Sequence, residues 1–476
     1  MSKKFFFLAA AATLWAGCTA LEQNVSDQTP DKLSPQAVGF GAYLNQGVST
    51  KAGAGGVLTT DGTGSTNSLQ SFGFGVFGYY ANGGLYNEST SKPDFMYNEH
   101  VTYSASKWSY SPIKYWPNEF GASAISEETD RLSFFAYAPY VEVNNTTGIP
   151  ADVESGIIAL SRNTSAGDPY VKYAVSFDPA KSVDLCWGVA ASNFTSSADP
   201  STENAILAGW PYIDVWKPQI GEDGYISLNF KHALAAINFT IDAWVDKNAA
   251  DNEVDAGSKV YVRSVTFEGF TTKGSLNLNS SNTSNNTEIA PNWSGVSLGS
   301  KLDSAPITVY DGRRDGKEAL YEATNEKPSD LNTTIIQSNS YETGALNDAY
   351  QYSSCSNVSE GVTKSTKNLF KSNDASAPIF VIPTDETLKV TIIYDVETPD
   401  ATVTGFLSDG ATHGSVVQNK ITKTIAINND PISLKAGTSY TVALHLGLTS
   451  VKFEASVTEW PATTLDADVD TPANND

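Results

Sequence analysis

The chain has 476 residues, with 53 acidic against 30 basic side chains and a formal net charge of -23. That charge repels phosphate backbones and anionic headgroups, which makes nucleic acid a poor partner. Only 17% of the residues are charged and 11% are aromatic, a balance that favours an exported, β-rich body over a helical one, and the length exceeds what a single core organises.

Lys3 and Lys4 lead into an apolar run from Phe5 to Leu14 that ends in Trp15-Ala16-Gly17-Cys18. A basic start, an apolar stretch too short to remain as a bilayer span and small residues before a cysteine are the marks of a bacterial lipoprotein signal. Residues 1–17 are thus expected to be a signal peptide, and Cys18 the lipidated first residue of the mature chain. Trp15 stands where such signals carry an aliphatic residue, and an ordinary secretory signal is the alternative. One acyl chain binds membranes only marginally, so stable anchoring requires multiple acylation.

Residues 19–37 are polar, contain Pro30 and Pro35, and read as a tether. Val38, Phe40, Ala42 and Leu44 then alternate with Gly39, Gly41 and Tyr43, the period of a strand with one apolar face. The stretch Ser49 to Gly56, which holds Thr50-Lys51-Ala52-Gly53, reads as an exposed loop. Short β-like runs follow at Phe72–Tyr80, Val101–Trp108, Leu132–Tyr137, Tyr170–Phe177, Val183–Ala190 and Ile226–His232, divided by turn residues. This succession predicts a sandwich with Greek-key-like connections rather than βαβ crossovers.

Alternation resumes at Ile237–Ile241, which places a domain boundary near residue 234: a first unit over 52–234 and a second over 235–460. The second unit has β-like runs at Val260–Phe267, Ser275–Leu278, Ile379–Ile382, Lys389–Tyr394, Thr422–Ile427 and Thr438–Leu448. Two polar stretches interrupt it, Asn277–Ser294 and a long insertion over 325–377, each read as surface decoration or a protruding binding loop. Near the end, Val451, Phe453, Ala455 and Val457 form a second one-faced strand, and residues 461–476 are an acidic tail without apolar period, expected to be flexible.

Signals for chemistry are weak. Gly73-Phe74-Gly75-Val76-Phe77-Gly78 spells a dinucleotide fingerprint, but apolar β-formers surround it and no helix follows, so its glycines read as close-packing positions in a strand. Asp311-Gly312-Arg313-Arg314-Asp315-Gly316 lacks the downstream ligands of a calcium loop and reads as a turn. His100, His232, His413 and His445 have no zinc spacing, and His232 reads as a structural strand residue whose ring nitrogens find backbone partners. Cys186 lies in an apolar run and Cys355 in a polar one, so Cys186 reads as an inert core residue in preference to half of a bridge. No catalytic set, cofactor site or metal site is expected. Aromatics in loop-like settings, Tyr79, Tyr80 and Tyr86, and Trp210, Tyr212 and Trp216, are either core packing or sugar-stacking faces, with Trp210 and Tyr212 the candidate glycan contacts.

Several segments together resemble a known family. Trp108-Ser109-Tyr110-Ser111-Pro112 with Tyr115-Trp116-Pro117, and Leu132-Ser133-Phe134-Phe135-Ala136-Tyr137-Ala138-Pro139, are similar to the first-domain signature of the fimbrillins, the type V pilins of the bacterial outer membrane. Leu228 to Leu234, Phe380-Val381-Ile382-Pro383, Gly437-Thr438-Ser439-Tyr440 and Val457-Thr458-Glu459-Trp460 resemble the later ones.

The resemblance implies an all-β protein of two tandem transthyretin-like Greek-key β-sandwich domains. It also implies a surface-exposed outer-membrane lipoprotein that joins a fimbrium by protease-triggered donor-strand exchange and supports cell adhesion, with no enzymatic activity. Its implied partners are other fimbrial subunits, identical or paralogous, the outer membrane through the lipid anchor, and host or bacterial surface ligands. On this resemblance Val38, Phe40, Ala42 and Leu44 belong to a removable first strand, released by cleavage between Lys51 and Ala52. Processed fimbrillins carry Arg at that place, and Lys51 reads equally as an ordinary solvated lysine. Val451, Phe453, Ala455 and Val457 read equally as a donor strand or as the last strand of their own domain. The competing class is a monomeric surface lipoprotein or fimbrial tip adhesin that binds glycans or host protein.

Overall fold

The computed structural model describes residues 37–44, 68–82, 84–117, 130–191, 206–215, 225–243, 259–279, 290–297, 306–311, 367–368, 378–404, 413–427, 430–431, 433–446 and 451–459. In chain order the first half carries β1 (Gly39–Leu44), a single helical turn α1 (Leu69–Phe72), β2 (Phe74–Asn82), β3 (Met96–Ser104), β4 (Lys107–Ser109), β5 (Asp130–Ala138), β6 (Gly156–Leu160), β7 (Tyr170–Ala174), β8 (Cys186–Ala190), β9 (Tyr212–Val215) and β10 (Tyr225–His232). There follow β11 (Ala235–Ala243), β12 (Lys259–Glu268), β13 (Lys273–Asn277), β14 (Asn292–Ser294), β15 (Ile307–Asp311), β16 (Lys367–Asn368), β17 (Ile379–Val381), β18 (Lys389–Thr404), β19 (His413–Thr424), β20 (Ala426–Ile427), β21 (Asp430–Pro431), β22 (Thr438–Leu446) and β23 (Val451–Glu459). The architecture is all-β, as the alternating runs predict.

One eight-stranded sheet runs β1-β10-β8-β5-β2-β3-β4, with β9 paired to β5. Period-two burial gives this sheet two apolar faces. On one face Phe77, Tyr79, Phe135, Tyr137, Trp187 and Val189 share a core with Ile157, Leu160, Val171, Tyr173 and Leu276 of the four-stranded sheet β14-β13-β7-β6. The other face, lined by Phe74, Val76, Phe134, Ala136, Leu228 and Phe230, packs around Val38, Phe40 and Leu44. Between residues 235 and 459, the sheet β16-β11-β22-β23 meets the sheet β15-β12-β18-β19, with the rings of Phe239 (β11) and Phe267 (β12) 4.5 Å apart.

Residue 234, where the boundary is expected, lies in the two-residue connection between β10 and β11, and Ala233 and Leu234 are both buried. The chain later returns to the first half: β13 pairs antiparallel with β7, and Trp293 donates its indole N–H to the Ala233 carbonyl at 2.8 Å. The far end of the polar stretch Asn277–Ser294 is therefore anchored strand. Of the insertion over 325–377, only β16 lies within the described residues.

Two expected runs differ in detail. Val101–Trp108 is not one strand: Ala105 and Ser106 take positive φ angles of 50° and 62° and turn β3 back into β4. Such a turn is usually signalled by Asn-Gly, which is why an Ala-Ser turn escapes a reading of residue types. The run at Val183 enters the strand only at Cys186, because Asp184 is withdrawn into a polar contact described below. The glycines of the fingerprint-like stretch do lie in and beside a strand, β2; a Cβ at Gly78 would stand 3.1 Å from side-chain atoms of Phe95 and Met96.

Candidate assembly groove

β1 lies at the end of its sheet and pairs parallel with β10 from Gly39↔Tyr225 to Leu44↔Phe230. Its even-numbered side chains turn inward: Val38, Phe40 and Leu44 are buried and Ala42 is half-buried. The Phe40 ring meets Tyr110 at 5.6 Å, Phe134 at 5.8 Å and Phe74 at 6.3 Å, each edge-on, the geometry that aromatic quadrupoles favour. Gly39 gives the edge its closeness, since a Cβ there would lie 2.7 Å from two ring carbons of Tyr225.

The opposite flank of β1 is held by the segment that follows β4. Val38 N–H donates to the Lys114 carbonyl at 2.9 Å, and Ala37 bridges Tyr115. The Tyr110 hydroxyl donates to the Val38 carbonyl at 2.7 Å, and the Trp108 indole N–H to the Ala42 carbonyl at 3.3 Å. Burial pushes the Tyr110 hydroxyl up to about 12, so it remains a donor well into the alkaline range. β1 is thus the stave that closes a curled sheet, with a continuous ladder on one side and discrete hydrogen bonds on the other.

Three large buried side chains at about 1.5–3 kcal/mol each give roughly 5–9 kcal/mol of gross apolar stabilisation, before the entropy of ordering the strand. Without β1, β10 would present unpaired N–H and C=O groups above a floor of Phe74, Phe134, Leu228 and Phe230. Such an edge is a template for another strand. Trp108, Tyr110 and Lys114 clasp β1 although the sequence marks the two aromatics only as family signature residues. Their signal is the two-residue spacing of aromatics, which puts both on one face of a short edge segment.

β23 is the outermost strand of its sheet and pairs antiparallel with β22 from Thr438↔Glu459 to Leu446↔Val451. Val457 is exposed. Val451, Phe453 and Ala455 sit at alternate positions of this strand.

Cys18, Lys51, Ala52, Trp216 and Cys355 lie outside the described residues. Tyr212 needs correction as a glycan contact: its ring is buried in the core and its hydroxyl donates to the Ser227 carbonyl at 2.7 Å, which leaves no face open to a sugar. Trp210 is half-buried. Tyr79 and Tyr86 pack edge-on at 5.2 Å and belong to the core, the bland reading of such clusters. Cys186 is a buried free thiol. His232 departs from the expectation of backbone partners, because its Nδ1 lies 2.7 Å from Oδ2 of the buried Asp184. Among the described residues no helix is long and apolar enough to cross a membrane.

The described residues form an all-β chain whose first described strand closes an aromatic groove, and the sequence comparison places it in a family. The fimbrillin-like family model matches residues 65–309, just over half of the chain, and the chain belongs to that family. A curated relative, fimbrium subunit Fim1C of Phocaeicola vulgatus, is 28% identical over 177 residues, spanning 37% of this chain and 39% of the relative. The crystal structure of a fimbrial protein from Bacteroides vulgatus superposes with a TM-score of 0.50 at 18% identity, covering 89% of this chain and 99% of that one, a likeness of fold. The family model is fimbrillin-like and the curated relative is a subunit of a fimbrium.

Proposed function

We propose that the chain is a structural or accessory subunit of outer-membrane-anchored fimbriae, assembled by donor-strand exchange after proteolysis and supporting cell adhesion. The observation that carries this reading is the placement of β1: a six-residue strand at a sheet end, preceding the other described strands in sequence and closing a groove of aromatic side chains. In this reading Cys18 carries the lipid anchor, cleavage between Lys51 and Ala52 releases Val38 to Leu44, and the vacated groove accepts a strand from a neighbouring subunit. β-augmentation supplies main-chain hydrogen bonds to the edge of β10, and inward side chains supply register and specificity. Val451, Phe453, Ala455 and Val457 are the proposed donor, since β23 ends its sheet and can leave it by breaking one ladder. The units over 52–234 and 235–460 serve as tandem sandwiches, with β13 and β14 reaching back to the first.

The test is to treat the purified lipoprotein with a trypsin-like protease, sequence the new N-terminus and inspect the product by electron microscopy. A new N-terminus at Ala52 together with fibres supports the reading. Fibres that retain an intact Lys51-Ala52 bond would reject the cleavage step, and a cleaved chain that stays monomeric at high concentration would reject strand exchange in favour of a monomeric surface lipoprotein.

A further inference from the structure

Beyond the end of β1 the floor of the groove changes character. Phe230, opposite Leu44, is followed two residues later on the same face by His232, which pairs across the ladder with Cys186 of β8. Asp184, two residues before Cys186, turns its carboxylate into the same space. All three side chains are buried, and one ligand atom from each lies within 4.8 Å of the other two. The separations are 2.7 Å for His232 Nδ1 to Asp184 Oδ2, 3.5 Å for His232 Nδ1 to Cys186 Sγ and 3.9 Å for Cys186 Sγ to Asp184 Oδ2.

We propose that Asp184, Cys186 and His232 bind a zinc ion that cross-links β8 to β10. Tetrahedral zinc with bonds of about 2.0–2.3 Å to N, O and S sets its ligand atoms roughly 3.3–3.5 Å apart, and the three side chains would fill three of its four positions. The observed triangle reaches that size through shifts of about half an ångström in side chains already on one face. The mixed sulfur, nitrogen and oxygen set suits zinc better than calcium or magnesium, which take oxygen ligands. The buried Asp184 carboxylate already meets the His232 imidazole at 2.7 Å, an ion pair when the ring is protonated, and a divalent cation would stand in for that ring proton. Without metal, burial and the Asp184 carboxylate push the Cys186 thiol well above its ordinary range and keep it protonated. Zinc replaces that proton, which passes to solvent as the site closes on folding.

The site has no route for substrate, since Cys186 is wholly buried. Its role is mechanical: the ion fixes β10, the strand that carries β1, in register with β8. On the proposed strand-exchange reading, this holds the groove open while β1 is absent. The metal site itself does not depend on that reading.

The test uses the full chain with Cys18→Ser and Cys355→Ser, so that Cys186 is the single thiol. The protein is refolded from denaturant with reductant and either Co2+ or Zn2+, then freed of unbound metal by gel filtration. The expected results are a near-ultraviolet thiolate-to-Co2+ charge-transfer band and about one retained zinc per chain. Asp184→Asn should weaken zinc binding at least tenfold, and Cys186→Ser should abolish both signals. A correctly folded parent that shows no band and retains no zinc overturns the proposal, as does equal zinc retention by C186S. Should C186S fail to fold, the parent's band, tied to a single thiol, decides alone.

Discussion

Replacing Phe40 with Ala tests whether β1 leaves its groove independently of the rest of the fold. The side chain is 2% exposed and meets three aromatic rings, so truncation removes a fully buried phenyl and leaves a cavity walled by Phe74, Tyr110 and Phe134. Such truncations cost about 3–5 kcal/mol. If β1 opens locally, the whole of that cost falls on the opening equilibrium, and the population of the open form rises roughly 150- to 5,000-fold. Native-state hydrogen exchange reads this directly. Half of the β10 amides, those directed at β1, should lose protection by that factor, while amides of β6 and β7 on the far side of the sheet keep theirs. Equal loss of protection across β10, β6 and β7 would mean that β1 comes away only when the protein unfolds globally and is not a removable strand.

The other predictions concern the two walls of the groove and the far end of the chain. Gly188→Val should destabilise the fold by about 1–3 kcal/mol through overpacking, since even a Cβ there would stand 3.0 Å from Ala136 Cβ and 3.3 Å from Phe230 Cε1, seen as a lower midpoint in chemical denaturation. Tyr110→Phe should cost about 1 kcal/mol below pH 10 through the lost hydrogen bond to the Val38 carbonyl. Because the folded Tyr110 titrates at about 12 against 10.0 for the free side chain, its contribution is complete below pH 10 and fades as pH rises toward 12. The stability difference between wild type and Y110F should therefore shrink over that window; a difference independent of pH would contradict the assignment. Phe453→Asp should abolish fibres while leaving a soluble folded monomer by circular dichroism if β23 is donated between subunits, whereas global unfolding would make β23 an integral strand of its own sheet.

Much of the fold is legible in the chain because the period of two is imposed by burial on one face, and Val38 to Leu44 or Tyr225 to His232 display it without interruption. What escapes has local causes. Gly156–Leu160 reads as a short apolar run without alternation, since β6 pairs through a register irregularity between Ile157 and Ala159 that breaks the period. The Asp184, Cys186 and His232 cluster is hidden because His232 lies 46 residues from Cys186 and 48 from Asp184, across a ladder from them; the available signal is an aspartate set within the apolar run Val183-Asp184-Leu185-Cys186-Trp187, where a carboxylate is out of place unless it meets a partner. The sugar-platform reading of Tyr212 fails for the converse reason: Gly209 and Pro211 mark a turn, but the strand that begins at Tyr212 turns its ring straight into the core.

The asymmetry of the two flanks of β1 bears on how, in the proposed assembly, a strand could be firmly held and still removable. Toward β10 it makes a six-residue ladder, but toward residues 108–115 the contacts are an isolated bridge, carried by the Val38 N–H to Lys114 C=O bond, and hydrogen bonds from the side chains of Trp108 and Tyr110. On the proposed reading, β1 in a continuous chain stays near its groove at an effective concentration set by the residues that join it to Ser68. Proteolysis between Lys51 and Ala52 would alter none of these contacts. It would convert an intramolecular equilibrium into a bimolecular one, so that a released β1 would be diluted away and a tethered strand from a neighbour would win the vacated site. If Cys18 is the anchor, the same cut parts the body from the membrane, and the subunit is then retained only by the polymer that it has become free to join.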